Sequence, residues 1–127
     1  IDKNIELYDH ETVVNEKNTR LIGFGRYAGI VGAYNGIRAF GLKFEIFSLP
    51  KAETLANQDA LISQLKKPFL PPIKIVLTGK GKVAFGAKEM LDGMKIKEVA
   101  VADYLSKTYT YPVYTMIDVQ DYNMHNE

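Results

Sequence analysis

With 127 residues, 46% hydrophobic and 24% charged, the chain is long enough for one domain and falls in the ordinary globular class, neither disordered nor fibrous. Sixteen basic residues against fifteen acidic give a net charge of +1. That gives no electrostatic case for nucleic acid, which requires a concentrated basic face, and points to a small-molecule partner. The absence of cysteine excludes a disulfide framework, thiolate zinc and a cysteine nucleophile, and it fits a reducing, cytoplasmic setting.

The opening "IDKNIELYDHETVVNE" is charged and predicts no signal peptide. The longest uncharged stretch, residues 27–37 between Arg26 and Arg38, is far short of the ~20 apolar residues of a membrane span. No membrane association is expected. Residues 5–8 and 12–14 read as strands, "EKN" as a turn and residues 20–24 as a returning strand, so the chain is expected to begin with a short hairpin.

From Arg26 the period changes. Tyr27, Ile30, Val31, Tyr34 and Ile37 fall three and four apart, which predicts a helix to about Phe40. Gly29, Gly32, Ala33 and Gly36 form a small-residue ridge on it. Each glycine costs a helix about 1 kcal/mol relative to alanine, so the ridge implies close packing against another backbone. Residues 43–49 read equally as strand or loop. Leu55, Leu61, Ile62 and Leu65 mark a second helix that ends at Lys66, Lys67 and Pro68, and "PFLPP" is a stiff linker.

A new unit follows the linker: strand 73–78, a glycine turn, a helix from about Val83 to Met94 and a strand from Glu98 to Ala102. This βαβ pattern implies a parallel sheet, so the fold class is α/β. Three readings compete for the turn in "IVLTGKGKVAFGA". A phosphate loop would need lysine and a hydroxyl after Gly86, where Ala87 stands instead. A dinucleotide fingerprint, Gly-x-Gly-x-x-Gly/Ala, is satisfied by Gly79, Gly81 and Ala84, with pyrophosphate on the free N–H groups at the start of the helix, at Lys82 and Val83. The fingerprint also wants an acid ~20 residues on, at the end of the second strand, to hold the adenine ribose. Asp103 ends "EVAVAD", and an acid there favours NAD over NADP. The third reading is a plain tight turn without a ligand.

"YDHETVVNEKNTRLIGFGRYAGIVGAYNG" and "GKGKVAFGAKEML", with a bare Gly-x-Gly turn, resemble the alanine dehydrogenase, pyridine nucleotide transhydrogenase and lysine-forming saccharopine dehydrogenase family, closest to the saccharopine dehydrogenase branch. The resemblance extends nearly to Asp103. It implies a partial Rossmann-like sheet, with residues 1–25 ending the substrate domain, 26–72 connecting and 73–127 starting the NAD-binding domain. It further implies oxidation of a carbon–nitrogen bond in a small amino acid with hydride transfer to NAD, by saccharopine dehydrogenase or, alternatively, alanine dehydrogenase chemistry. Cofactor contacts carry over to Gly79, Gly81 and Ala84 for the pyrophosphate turn and to Asp103 for the ribose. The family's catalytic residues match nothing in this chain, which is therefore expected to be a fragment. A non-catalytic nucleotide-sensing or assembly module is the alternative from another class.

Residues 104–127, rich in tyrosine, do not read as the next crossover helix and resemble an insertion. His10, between Asp9 and Glu11, makes no metal cluster because neighbouring strand residues face opposite ways. His125 is expected in a frayed tail. Tyr109, Tyr111 and Tyr114 suit surface or strand packing better than nucleic-acid stacking, which needs a positive groove. Arg26 and Arg38 have the fork to bind a carboxylate, though capping and surface roles fit them better. Open sheet edges and partly covered apolar faces predict that the chain associates with itself.

Overall fold

In the computed structural model, which describes residues 3–123, regular structure begins where the three-and-four spacing does. Helix α1, Gly25–Lys43, buries Gly29, Ile30, Tyr34, Ile37 and Gly41. The Tyr34 hydroxyl donates to the Pro50 carbonyl at 2.8 Å, and Arg38 Nε donates to the Leu49 carbonyl at 3.0 Å. A methyl group at Gly41 would collide with the Phe47 ring. Together these contacts fold residues 44–50 back over the end of α1 as a loop, which resolves the strand-or-loop ambiguity there. Helix α2, Gln58–Leu65, starts at Asn57, whose side chain accepts from the Ala60 N–H at 2.9 Å, a cap that satisfies one of the free donors of the first turn.

The sheet has three parallel strands in the order β1–β3–β2: β1 Lys74–Thr78, β2 Lys97–Glu98 and β3 Val113–Ile117. Helix α3, Lys82–Gly93, follows β1; α4, Val101–Ser106, follows β2; and α5, Val119–Tyr122, follows β3. This small open parallel sheet with flanking helices is a partial Rossmann-like α/β arrangement.

Three expectations are corrected. The opening hairpin is reduced to one antiparallel bridge, Val14 to Arg20, beside a 3-10 turn at His10–Thr12. Its apolar residues, Leu7 and Tyr8 among them, lie exposed, so no buried face holds a strand register there. The strand expected over 98–102 stops at Glu98, and its remainder forms α4. Residues 113–117, not recognised as a strand, form the centre of the sheet, with Val113, Tyr114 and Thr115 buried.

Helix α1 lies against α3 through glycine. A methyl at Gly29 would run into the Val83 carbonyl, and one at Gly86 into the Arg26 carbonyl. The rest of the predicted ridge behaves differently, because Gly32 and Gly36 face open space. Arg26 closes the contact with a fork to Glu89, Nε to Oε1 at 2.7 Å and Nη2 to Oε2 at 2.6 Å. This hydrogen bonding holds the Glu89 carboxyl below its ordinary range.

A polar cluster fastens the far edge of the sheet to α3. The buried Tyr114 hydroxyl donates to Asp92 Oδ1 at 2.6 Å, and Lys88 Nζ donates to Tyr114 at 2.7 Å and to Glu98 Oε2 at 2.6 Å. The Glu98 contact, then the Tyr114 contact, raises the Lys88 pKa. Burial, then the bond to Asp92, pushes Tyr114 up to about 12.

Two stability tests follow from this packing. Gly29→Ala should cost about 1–3 kcal/mol through overpacking, whereas Gly32→Ala should be neutral or stabilise by up to about 1 kcal/mol through helix propensity. Urea denaturation of both variants checks the contrast. Tyr114→Phe should cost about 1–2 kcal/mol at pH 8, because Asp92 loses one of its two partners and keeps only Lys88, which itself loses an acceptor. A group whose folded pKa is raised stabilises fully below its unfolded value and loses that contribution above it. The gap between wild type and Tyr114→Phe should therefore narrow as pH rises from about 10 towards about 12, as read by urea midpoints across that range.

Candidate functional site

The strand-to-helix turn is built by its neighbours. Strand β1 ends at Thr78, and Gly79 turns the chain with φ +85°, a left-handed conformation that glycine adopts without penalty. The Gly79 N–H donates to the Ile117 carbonyl at 2.7 Å, which ties the turn to the end of β3. Gly81 is the N-cap of α3. Its backbone is extended, φ −91° and ψ −177°, with no side chain capping the helix and open space where a side chain would stand. The fold does not require glycine at 81. The first-turn N–H groups of Lys82, Val83 and Ala84 precede any intrahelical partner, and they sit at the positive end of the helix dipole.

Ala84 is buried, which lets α3 approach the sheet, while Lys80 and Lys82 are exposed beside the turn. A cleft of about 350 Å³ opens here, bounded by Thr78, Gly81, Lys82 and Ala84 among others. Helix α1 begins at the same rim, since a methyl at Gly25 would lie 3.3 Å from the Lys82 Cβ. The extended backbone, uncapped N–H groups, small third residue and open cradle at Gly81 fit a pyrophosphate.

The structure brings Gly79, Gly81, Lys82, Val83 and Ala84 together and leaves Asp103 out. Asp103 lies inside α4, not at the end of a strand, and pairs with Lys107 Nζ at 2.9 Å. The parallel neighbour of β1 is β3, with Thr78 opposite Ile117, so the first residue past that neighbour is Asp118. Asp118 is half-buried; its Oδ1 accepts from the Val119 N–H at 2.8 Å as the cap of α5, and its own N–H donates to Asp121 Oδ2 at 2.7 Å. The sequence reading missed Asp118; the run of β-favouring residues in "VYTMI" after Pro112, ended by an acid, is the signal that could have found it.

Gly86 is accounted for by its contact with α1, so the Gly81-to-Gly86 spacing that echoes a phosphate loop arises from helix packing. Arg26 binds a carboxylate of its own chain, Glu89, and Arg38 a backbone carbonyl. His10 sits in the 3-10 turn capped by Asp9, and His125 lies outside the described residues. Tyr109 and Tyr111 meet edge-on with ring centroids 5.8 Å apart. Among the described residues no group of three or more His, Asp or Glu is placed to hold a metal ion, and no helix is long and apolar enough to cross a membrane.

Fold and site together define a partial Rossmann-like α/β unit with a two-glycine turn at the head of its first helix. No protein-family model matches the chain. It is similar to alpha-aminoadipic semialdehyde synthase, mitochondrial, of Rattus norvegicus and of Mus musculus, 24% identical to each over 135 residues, covering 86% of this chain and 15% of each relative. Alpha-aminoadipic semialdehyde synthase of Arabidopsis thaliana is 27% identical over 108 residues, 71% of this chain and 10% of that protein. The chain is thus distantly similar to alpha-aminoadipic semialdehyde synthase and spans 15% or less of these relatives' length.

Proposed function

We propose that this chain is the nucleotide-binding part of an NAD-dependent oxidoreductase of amino-acid metabolism, of the saccharopine dehydrogenase type, acting on a carbon–nitrogen bond. The observation that carries the reading is Gly81: its backbone suits any residue and its side-chain position is empty, so the room it leaves serves something outside the fold. The distant similarity to alpha-aminoadipic semialdehyde synthase supports the oxidoreductase parent.

When bound, NAD supplies the hydride acceptor. The chain's own residues hold its pyrophosphate: the N–H groups of Lys82, Val83 and Ala84 at the head of α3, with Gly79 making the turn and Gly81 keeping it open. The exposed ammonium groups of Lys80 and Lys82 add favourable charge. The cysteine-free composition supports a reducing, cytoplasmic setting. Self-association of the isolated chain is supported by the outer edge of β1, unpaired among the described residues, and by an apolar groove of about 680 Å³ between α1 and β1.

In the full-length protein that carries this chain, Gly81→Val should leave the protein folded, with at most the modest cost of a poorer helix cap, and abolish NAD binding measured by calorimetry. Unchanged affinity rejects the site. The wild-type protein should reduce NAD with saccharopine rather than with alanine. Turnover of alanine alone selects the other branch, and NAD binding without turnover of either selects a nucleotide-sensing module.

A further inference from the structure

We infer that Asp118, not Asp103, is the residue that reads the adenine ribose and sets the preference for a cofactor without a 2′-phosphate. The inference rests on the dinucleotide reading of the glycine turn and assigns the adenine-ribose contact, which that reading leaves without a residue.

The argument is topological. An acid that accepts from ribose hydroxyls must stand at the carboxyl end of the strand beside the one that feeds the glycine turn, because the dinucleotide crosses the sheet there. Counting along the sequence to the second strand reaches Asp103. That count assumes the second strand is β1's neighbour, and here it is not. The sheet order β1–β3–β2 puts the two-residue β2 on the outside, paired with only Val113 and Tyr114 at the start of β3. The segment containing β2 and α4 passes along the outer edge of the sheet after α3 and returns through Pro112 to β3. It carries Asp103 away with it, into an exposed ion pair with Lys107.

Strand β3 runs the full length of β1, Lys74 opposite Val113 through Thr78 opposite Ile117, and the Ile117 carbonyl takes the Gly79 N–H. Asp118 is the next residue, level with the turn. Its carboxylate is oriented by the cap it forms on α5 and remains half-exposed at the rim. A carboxylate held there accepts from a ribose diol and repels a 2′-phosphate.

The test uses the full-length protein and two probes that lack the nicotinamide, ADP-ribose and its 2′-phosphate, with dissociation constants from calorimetry. Wild type should prefer ADP-ribose. Asp118→Asn keeps a good helix cap but removes the charge, and it should reduce the preference by at least about tenfold, the loss of one hydrogen bond to a charged acceptor. Asp118→Ser, also a capping residue, guards against a folding effect of the first variant and should act alike. Asp103→Asn should leave the ratio where it was. A ratio unmoved by both Asp118 variants, or moved by Asp103→Asn instead, overturns the assignment while the dinucleotide site stands. Wild-type protein that binds neither probe overturns the dinucleotide reading itself.

Discussion

The contact between α1 and α3 is the constraint on which the rest of the molecule depends. Two backbones meet with no side chain between them, Gly29 on the Val83 carbonyl and Gly86 on the Arg26 carbonyl. Glycine is a poor helix former, at about 1 kcal/mol per residue, and this close approach offsets that cost by letting two helices pack along their length. Because the crossing lies within the first turns of both helices, it fixes where each begins. Gly25 then reaches Lys82, and the head of α3 is held against a second helix instead of fraying. The Arg26–Glu89 fork adds orientation at the same crossing. Being part-exposed, an ion pair of this kind adds little to stability; its planar, two-bond geometry matters more for aligning the helices.

On the opposite side of α3 a polar cluster does what apolar packing cannot. Strand β2 is two residues long and both are exposed, so hydrophobic burial gives it almost no hold on the sheet. Lys88, Asp92, Glu98 and Tyr114 supply that hold by joining α3, β2 and β3. Tyr114 is fully buried with its hydroxyl bonded, as burial of a polar group requires. The cluster is closed on itself, its donors and acceptors engaged with one another, which accounts for its charged groups without assigning them chemistry.

The rim of the sheet gathers groups that are distant in sequence. The glycine turn, the head of α3, the start of α1 and the end of β3 converge because parallel strands share one carboxyl end and both helices start there. Placing Gly79 by a hydrogen bond from β3 rather than by a local turn bond means that the loop's position depends on the sheet being assembled.

Much of this was legible in the residues alone. The three-and-four spacing after Arg26 marked α1, the run 73–78 marked β1, and Gly79 and Gly81 marked the turn, because these are local preferences of backbone and periodicity that act within a few residues. The glycine ridge correctly foretold a close backbone approach at Gly29, but not that Gly32 and Gly36 would face open space, nor that α3, with its own close approach at Gly86, was the partner, since ridge and partner are joined only by packing. The opening strands did not form because alternation specifies a strand only where something covers its apolar face. Asp103 was misplaced for a related reason. Sequence order counts strands as they are made, whereas their neighbours in the sheet are chosen by which strand pairs longest and buries most. Here β3, five residues long and buried in its first three, takes the place beside β1 and excludes the two-residue β2 from it. The sequence by itself determined the local elements and the glycine turn; tertiary structure decided which acid stands beside that turn, because strand order follows from total pairing and burial, a property of the whole sheet that no local window contains.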